Sequence, residues 1–271
     1  MTIDKKLSYW GRSFFLLIAG SALAWGQAAA VTSVSSANYS RIVAPNSIVS
    51  AWGSNLALTQ VAVTDSAPNG VVTLPTSLGN VNISLVDSAK VSGSPTLYMV
   101  SPGQINFVLP NTTALGVANI SINSGGSART GTVLISNVAP ALFTANASGS
   151  GTPAAQILRR TGSGVFSVEF PFNANDSTLS PRPINLGAAT RDEVYISLYG
   201  TGIRRRSANP VIATIGGTRV PVQFVGAQSQ YPGLDQINLG PLPATLAGRG
   251  AVDVNVVVDG VPANTVRLAF Q

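Results

Sequence analysis

After residue 30, the chain is a series of short runs rich in Val, Ile and Thr, separated by Gly, Pro, Asn and Ser. No stretch there combines apolar residues at every third or fourth position with the capping residues of a helix. Instead, Val194, Ile196 and Leu198 alternate with Tyr195, Ser197 and Tyr199, the pattern of a half-buried strand. The sequence therefore predicts an all-β protein.

The predicted strands fall into two series. The first comprises residues 47–52, 81–86, 96–100, 104–109, 117–123 and 131–137. The second comprises residues 193–199, 211–215, 218–225, 235–239, 251–258 and 265–270. Gly216-Gly217 and Asp259-Gly260 stand between apolar runs, as the turns of β-hairpins do.

The two series form an internal repeat. Residues 48–56 (IVSAWGSNL) correspond to residues 195–203 (YISLYGTGI), 147 positions further on. Gln104-Ile105-Asn106 recurs 132 positions on as Gln236-Ile237-Asn238, and residues 116–123 match 250–257 at a distance of 134. Three landmarks in the same order indicate duplication, and the changing distance places an insertion in the first copy around residues 65–73.

Each copy has six or seven short strands in about 100 residues, which is the size of an immunoglobulin-like sandwich. We therefore predict two tandem immunoglobulin-like β-sandwich domains after a cleavable signal peptide. The predicted boundaries are 1–30 for the signal peptide, 31–138 for the first domain, 139–191 for a linker segment with a β-hairpin, and 192–271 for the second domain. The hairpin is predicted from residues 154–160 and 165–170 around Thr161-Gly162-Ser163-Gly164.

The leader predicts export. Lys5, Lys6 and Arg12 precede or border an apolar run of 11 residues at 14–24, and small residues follow up to Ala30. Cleavage is expected after Ala28 or Ala30; the alternative is an uncleaved anchor. The run is shorter than the ~20 apolar residues that a membrane-spanning helix needs. We expect a secreted or envelope-associated protein with no membrane span after cleavage.

Composition excludes several chemistries. The chain has no Cys and no His, which removes thiol chemistry, His-based triads and the usual soft metal ligands. No phosphate-cradling glycine motif and no calcium loop of the EF-hand type occurs. We therefore expect no metal site and no cofactor.

Positive charge is concentrated in arginines. Without residues 1–30, Lys and Arg fall from 16 to 13 and Asp and Glu from 10 to 9, so the net charge is +4. Arg204, Arg205 and Arg206 form the densest cluster and could bind an acidic polysaccharide or a phosphate-bearing polymer. The alternative is a solvated loop, and then changing all three to Ser leaves folding intact. Nucleic acid is not expected, because that would require a clustered basic face.

Aromatic side chains are the other candidates for binding. Trp52 and its repeat counterpart Tyr199 each precede the Gly that follows their strand, while Tyr231, Phe170 and Phe172 lie in predicted loops. Exposed rings on a β-sandwich could stack on sugars. The alternative for Trp52 and Tyr199 is packing under a loop or against a neighbouring domain.

Catalysis by a carboxylate pair has one candidate. Glycosidases use two carboxylates about 5–9.5 Å apart. Glu169 and Asp176, both in the segment between the copies, are the pair to consider, and the alternative is two solvated charges near a hairpin.

An ordered set of short motifs carries a resemblance over nearly the whole chain after the leader. The motifs include Ala37-Asn38-Tyr39-Ser40, residues 44–50 (APNSIVS), 52–57 (WGSNLA), 74–79 (LPTSLG), 100–107 (VSPGQINF), 139–144 (APALFT) and 199–202 (YGTG). The chain resembles an uncharacterised C-terminal domain family of acidobacterial secreted proteins. That resemblance implies tandem immunoglobulin-type folds similar to IPT/TIG domains, and assigns no catalytic residue. Arg204, Arg205 and Arg206 depart from the small and polar residues expected after the last motif.

The sequence thus favours an exported, non-enzymatic binding or adhesion module whose partner is an extracellular polysaccharide or a surface protein. The alternatives are a polysaccharide-acting hydrolase that uses Glu169 and Asp176, and a structural envelope protein that assembles through its edge strands.

Overall fold

A computed structural model describes residues 31–64, 70–187 and 192–271; the predicted signal peptide lies outside these ranges. Within these ranges, the first sandwich contains eleven strands. They are β1 (Val31–Ser35), β2 (Ile42–Val43), β3 (Ile48–Trp52), β4 (Val61–Ala62), β5 (Ser77–Leu78), β6 (Val81–Val86), β7 (Ser92–Gly93), β8 (Thr96–Val100), β9 (Gln104–Val108), β10 (Gly116–Ser124) and β11 (Ser127–Ile135).

The second sandwich contains the remaining strands of the described ranges. They are β12 (Ala141–Leu142), β13 (Ala155–Arg160), β14 (Phe166–Glu169), β15 (Glu193–Thr201), β16 (Ile212–Ile215), β17 (Thr218–Arg219), β18 (Val222–Ala227), β19 (Asp235–Leu239), β20 (Gly250–Val258), β21 (Val261–Pro262) and β22 (Val266–Phe270). A 3₁₀ turn at Ala244–Leu246 precedes β20. No helix in the described ranges has the length and apolarity that a membrane span requires.

Both sandwiches have the strand order of an immunoglobulin domain. In the first, β1-β3-β9-β8 faces β6-β10-β11, and β1 joins the two sheets because it pairs antiparallel with β3 and parallel with β11. In the second, β13-β15-β19-β18 faces β16-β20-β22, with β14 added at the edge. These orders correspond to the ABED and CFG sheets of constant-type immunoglobulin domains. The predicted all-β fold with two tandem immunoglobulin-like sandwiches is confirmed.

The repeat landmarks fall on corresponding strands: β3 matches β15, β9 matches β19, and β10 matches β20. The connection from β3 to β6 spans residues 53–80, whereas its counterpart from β15 to β16 spans only 202–211. The first copy therefore carries the longer connection at the place where the sequence predicts the insertion, although residues 65–69 lie outside the described ranges.

Two predicted segments differ in detail from the structure. The run at 218–225 is two strands in different sheets, because the chain crosses between the sheets at Val220-Pro221 and proline cannot donate a ladder hydrogen bond. The hairpin predicted within residues 139–191 does form, as β13 and β14, but β13 pairs along its length with β15. This part of the predicted linker is therefore a pair of strands of the second sandwich.

Each sandwich has its own apolar core, and a third cluster joins the two. That third cluster, which we call the interdomain cluster, combines side chains of the first sandwich (Ala37, Ile48, Val72, Leu74 and Val108) with side chains of the second (Ala141, Phe143, Ala154, Tyr199 and Leu234). Burial of apolar surface stabilises a contact by roughly 25 cal/mol of free energy for each Å² removed from water. The interdomain cluster therefore favours an arrangement in which the two domains stay in contact.

Hydrogen bonds align the two domains around this cluster. The Ile48 N–H donates to Thr201 Oγ1 at 2.8 Å, and the same hydroxyl donates to the Gly233 carbonyl at 2.8 Å. Tyr98 donates its hydroxyl to the Pro232 carbonyl at 2.6 Å. The Val72 N–H, in the longer connection of the first copy, donates to the Gln230 carbonyl at 2.9 Å. The insertion therefore contributes directly to the contact between the domains.

Asp87 gives the first sandwich a pH-dependent stability. Its buried carboxylate accepts hydrogen bonds from the N–H groups of Ala114, Val91 and Ala89, which lower its pKa below the ordinary 3.8. A group with a lowered folded-state pKa stabilises the fold above its unfolded pKa, and that contribution is lost as pH falls through the folded value. We predict that Asp87→Asn lowers the free energy of unfolding at pH 7 and flattens its decline below pH 3.8, as measured by urea denaturation. Asp253→Asn, at an exposed ion pair, is the control with little effect.

The interdomain contact can be tested at Gly233. Its φ is +78°, and a Cβ there would lie 2.7 Å from Ile48 Cγ1. Gly217 has a similar φ of +80° and nothing within 4 Å of its Cβ position, so Gly217→Ala is a matched control for backbone strain alone. We predict that Gly233→Ala lowers the melting temperature clearly more than Gly217→Ala and increases proteolytic cleavage between the domains. Equal effects of the two variants would contradict a tight contact at Ile48.

Candidate functional site

The arginine cluster is built around a buried ion pair. Arg204 Nε donates to Asp235 Oδ1 at 2.6 Å, and the Asp235 side chain is 0% exposed. Asp235 Oδ2 also accepts the N–H groups of Ile203 and Arg204, and Arg204 donates to the Leu234 carbonyl. Burial raises the pKa of Asp235, although Arg204 and the N–H donors act in the opposite direction. Arg204 is therefore a structural residue, and the expectation of a solvated loop is wrong at this position.

Arg205 and Arg206 follow on a loop that is fixed at both ends. Arg205 reaches the first sandwich, where it donates to the Asn111 carbonyl at 2.9 Å, and Asn137 donates back to the Arg205 carbonyl at 3.2 Å. Arg206 donates to the Ser207 carbonyl, and Ser207 donates to Asp259 through its N–H at 2.7 Å and its hydroxyl at 2.6 Å. These bonds lower the pKa of Asp259. The three arginines therefore have three different surroundings.

A groove opens beside this loop at one side of the second sandwich. Its volume is about 910 Å³. The strands that border it, β17 and β18, are each an edge strand of one of the two facing sheets. It is lined by Arg206, Ala208, Asn209, Pro210, Val211, Arg219, Val220, Pro221, Val222, Gln223, Phe224 and Val225. Both charged lining residues are arginines, so the groove can attract an anion.

Two of the predicted aromatic binding residues lie at the contact between the domains. Tyr199 is 9% exposed, belongs to the interdomain cluster and donates its hydroxyl to Gln156 Oε1 at 3.0 Å. Burial raises the pKa of Tyr199 to about 12. Tyr231 is half-buried and packs against the same cluster. Tyr199 thus packs against the neighbouring domain and presents no open ring face for a sugar.

The other predicted aromatics lie apart from the groove lining. Trp52 is half-buried at the end of β3, on the same side of the strand as Ile48 and Ser50. Phe170 and Phe172 pack on each other with ring centroids 5.3 Å apart, and Phe172 is buried. The burial of Phe172 corrects its prediction as a residue of an exposed loop.

The carboxylate pair considered for hydrolysis is held by other groups. Glu169 Oε1 accepts from Arg159 at 2.9 Å, and Glu169 Oε2 lies 3.6 Å from an Arg182 nitrogen. Asp176 accepts hydrogen bonds from Ser180 and Thr178, which lower its pKa to about 2. A general acid needs a raised pKa so that it still carries a proton at neutral pH. Asp176 has the opposite shift and so cannot supply that proton.

The sequence reasoning missed Arg219, Gln223 and Phe224, which line the groove, and Asp235, which fixes the arginine loop. Arg219 lies 13 positions from Arg206 and is brought beside it only by the folding of β16 and β17. Within the described ranges, no group of three acidic side chains gathers into a site for a metal ion. A second depression, about 370 Å³, lies on the uncharged outer face of β6, β10 and β11.

Several solved structures are similar to this chain at low sequence identity. No protein-family model matches the chain, and no curated protein matches it. Similar solved structures include the I9–I11 tandem of titin (9% identity, TM-score 0.23), the BSP domain of a biofilm-associated protein (14%, 0.29) and InvD of Yersinia pseudotuberculosis (12%, 0.23). These matches cover 85%, 85% and 90% of this chain, but only 62%, 28% and 57% of the respective structures. The chain thus spans less than two thirds of each.

The structural role of Arg204 gives a stability prediction. Arg204→Ser leaves the buried Asp235 carboxylate without its cation, and breaking a buried pair in this way costs about 3 kcal/mol or more. The loss should shrink as pH is lowered, because the folded carboxyl, with its pKa raised, takes up a proton more readily than the unfolded one. Arg206→Ser is the matched control, with a change below about 0.5 kcal/mol. Urea denaturation of both variants at pH 7 and pH 4.5 measures the difference; equal stabilities would contradict the assigned role.

Proposed function

We propose that this chain is an exported, non-enzymatic binding module of the extracellular space or cell envelope, which recognises its partner through arginines. The leader supports export. Two sandwiches fixed to each other provide a rigid scaffold, and loops on such a scaffold commonly carry recognition. The resemblance to a family of secreted proteins agrees with this proposal.

One observation carries the proposal: every acid of the described ranges is held by an arginine, an N–H group or a hydroxyl, whereas many cations there have no ion-pair partner. Glu169 and Asp192 pair with Arg159, and three further acids pair with arginines, namely Glu193, Asp235 and Asp253. Backbone N–H groups or hydroxyls hold the other three, Asp87, Asp176 and Asp259. Cations without an ion-pair partner among the described residues are Arg41, Lys90, Arg129, Arg205, Arg206, Arg219 and Arg249.

The acidic and the cationic side chains of the described ranges are therefore suited to different roles. Donors around Asp87, Asp176 and Asp259 lower the pKa of these carboxyl groups, which makes them poor proton donors at neutral pH. A guanidinium group has five N–H donors, and Arg129, Arg205, Arg206 and Arg249 each use one of them on a backbone carbonyl. The remaining donors are available for carboxylate or phosphate groups of a partner. The described residues are therefore suited to recognising an anionic partner and poorly suited to acid–base catalysis.

Capture experiments test this function. The purified chain from residue 31 onward is mixed with insoluble polysaccharides and with native cell-envelope fractions, beside a heat-denatured sample. We predict saturable capture of the folded protein only, and weaker capture at high salt because screening weakens exposed charge interactions. Absence of capture by every fraction would contradict a binding module.

Turnover experiments test the non-enzymatic part. The wild-type protein and Glu169→Gln are incubated with a panel of glycans, and released reducing ends are measured. We expect no turnover by either protein. Turnover that Glu169→Gln abolishes would instead support a hydrolase.

A further inference from the structure

We propose that the groove between β17 and β18 is the binding site for a uronate-bearing polysaccharide, with Arg206 and Arg219 as the residues that contact its carboxylates. This inference rests on the proposed binding function and assigns it a site and a class of ligand. The groove lies at the open side of the second sandwich, so a polymer can lie along it without threading into a closed cavity.

Charge complementarity is the first support. The two charged lining residues are Arg206 and Arg219, and neither forms an ion pair with a described residue, although Arg206 acts electrostatically on Asp259 and donates one N–H to the Ser207 carbonyl. The nearby Asp259 is occupied by Ser207 and does not line the groove. Arginine presents a planar fork of donors that matches a carboxylate, and the groove has two such groups in its lining.

The groove is also held open before any ligand arrives. The loop that carries Arg206 is fixed by the Arg204–Asp235 pair on one side and by the Ser207–Asp259 hydrogen bonds on the other. Arg219 belongs to β17, which pairs with β16 through Thr214 and Ile215. Preorganised binding groups lose less conformational entropy on binding, and so more of their interaction energy appears as affinity.

The uncharged lining favours a sugar over a bare anion. Pro210, Pro221 and Phe224 supply apolar surface; Phe224 is 42% exposed and its ring lies beside Gly226. Asn209 and Gln223 supply amides that can hydrogen-bond hydroxyl groups. A sugar ring has both an apolar C–H face and hydroxyls, whereas polyphosphate has neither, so the mixed lining fits an acidic sugar polymer.

Affinity measurements with matched variants test the site. Binding of the chain from residue 31 onward is measured against polygalacturonate, neutral dextran and polyphosphate. The test variant is Arg206→Gln/Arg219→Gln, and the control is Arg41→Gln/Arg129→Gln, which removes the same charge from the first sandwich. We expect binding to polygalacturonate that falls about tenfold or more in the test variant and less than about twofold in the control.

The outcomes separate this site from the wider function. Capture by envelope fractions with equal binding of the two double variants would overturn the groove and leave the binding module standing. Binding to polyphosphate as tight as to polygalacturonate, or equal losses in both double variants, would show attraction by net charge and overturn the assignment. Lack of capture by any polymer or envelope fraction would overturn both proposals. A Phe224→Ser variant adds a separate check, because its binding should weaken while the salt dependence stays unchanged.

Discussion

The hydroxyl of Thr201 is the point on which the arrangement of the two domains depends. It lies at the end of β15, is fully buried, and bonds to β3 of the opposing domain and to the loop before β19 at the same time. Around it, apolar side chains from both copies exclude water. Because water cannot compete for these bonds, neither domain can rotate without leaving a buried polar group unpaired, which costs about 1–3 kcal/mol.

Much of the fold follows from the sequence because its determinants are local. Alternation of side chains along residues 193–199 and the glycine turns between runs specify strands without reference to the rest of the chain. The repeat then places corresponding strands in corresponding positions. The sequence predicts less where a strand is defined by a partner that is distant along the chain. The short β12 exists because it pairs with β15, and β17 is separate from β18 because they pair with strands of different sheets.

The site was harder to predict for the same reason. Arg204, Arg205 and Arg206 are consecutive and look alike in sequence, yet their partners lie at Asp235, at Asn111 of the other domain and within the loop itself. Separations of 31 and 94 residues leave no periodic signal. Tyr199 shows the same limitation, because the sequence places it at a strand end but cannot show that a second domain covers it. Only its chemical type, a ring with a polar end, agrees with burial beside Gln156.

The interdomain cluster also determines what the unit of this architecture is. Ile48 and Val108 of the first copy are covered by the second copy, and part of the covering contact comes from the connection that only the first copy has lengthened. The copies are therefore no longer interchangeable, although they descend from one pattern. Further duplication, or transplantation into another protein, would have to move the pair together. In a tandem array of such pairs, each pair would move as one rigid unit, and bending would occur at the junctions between pairs.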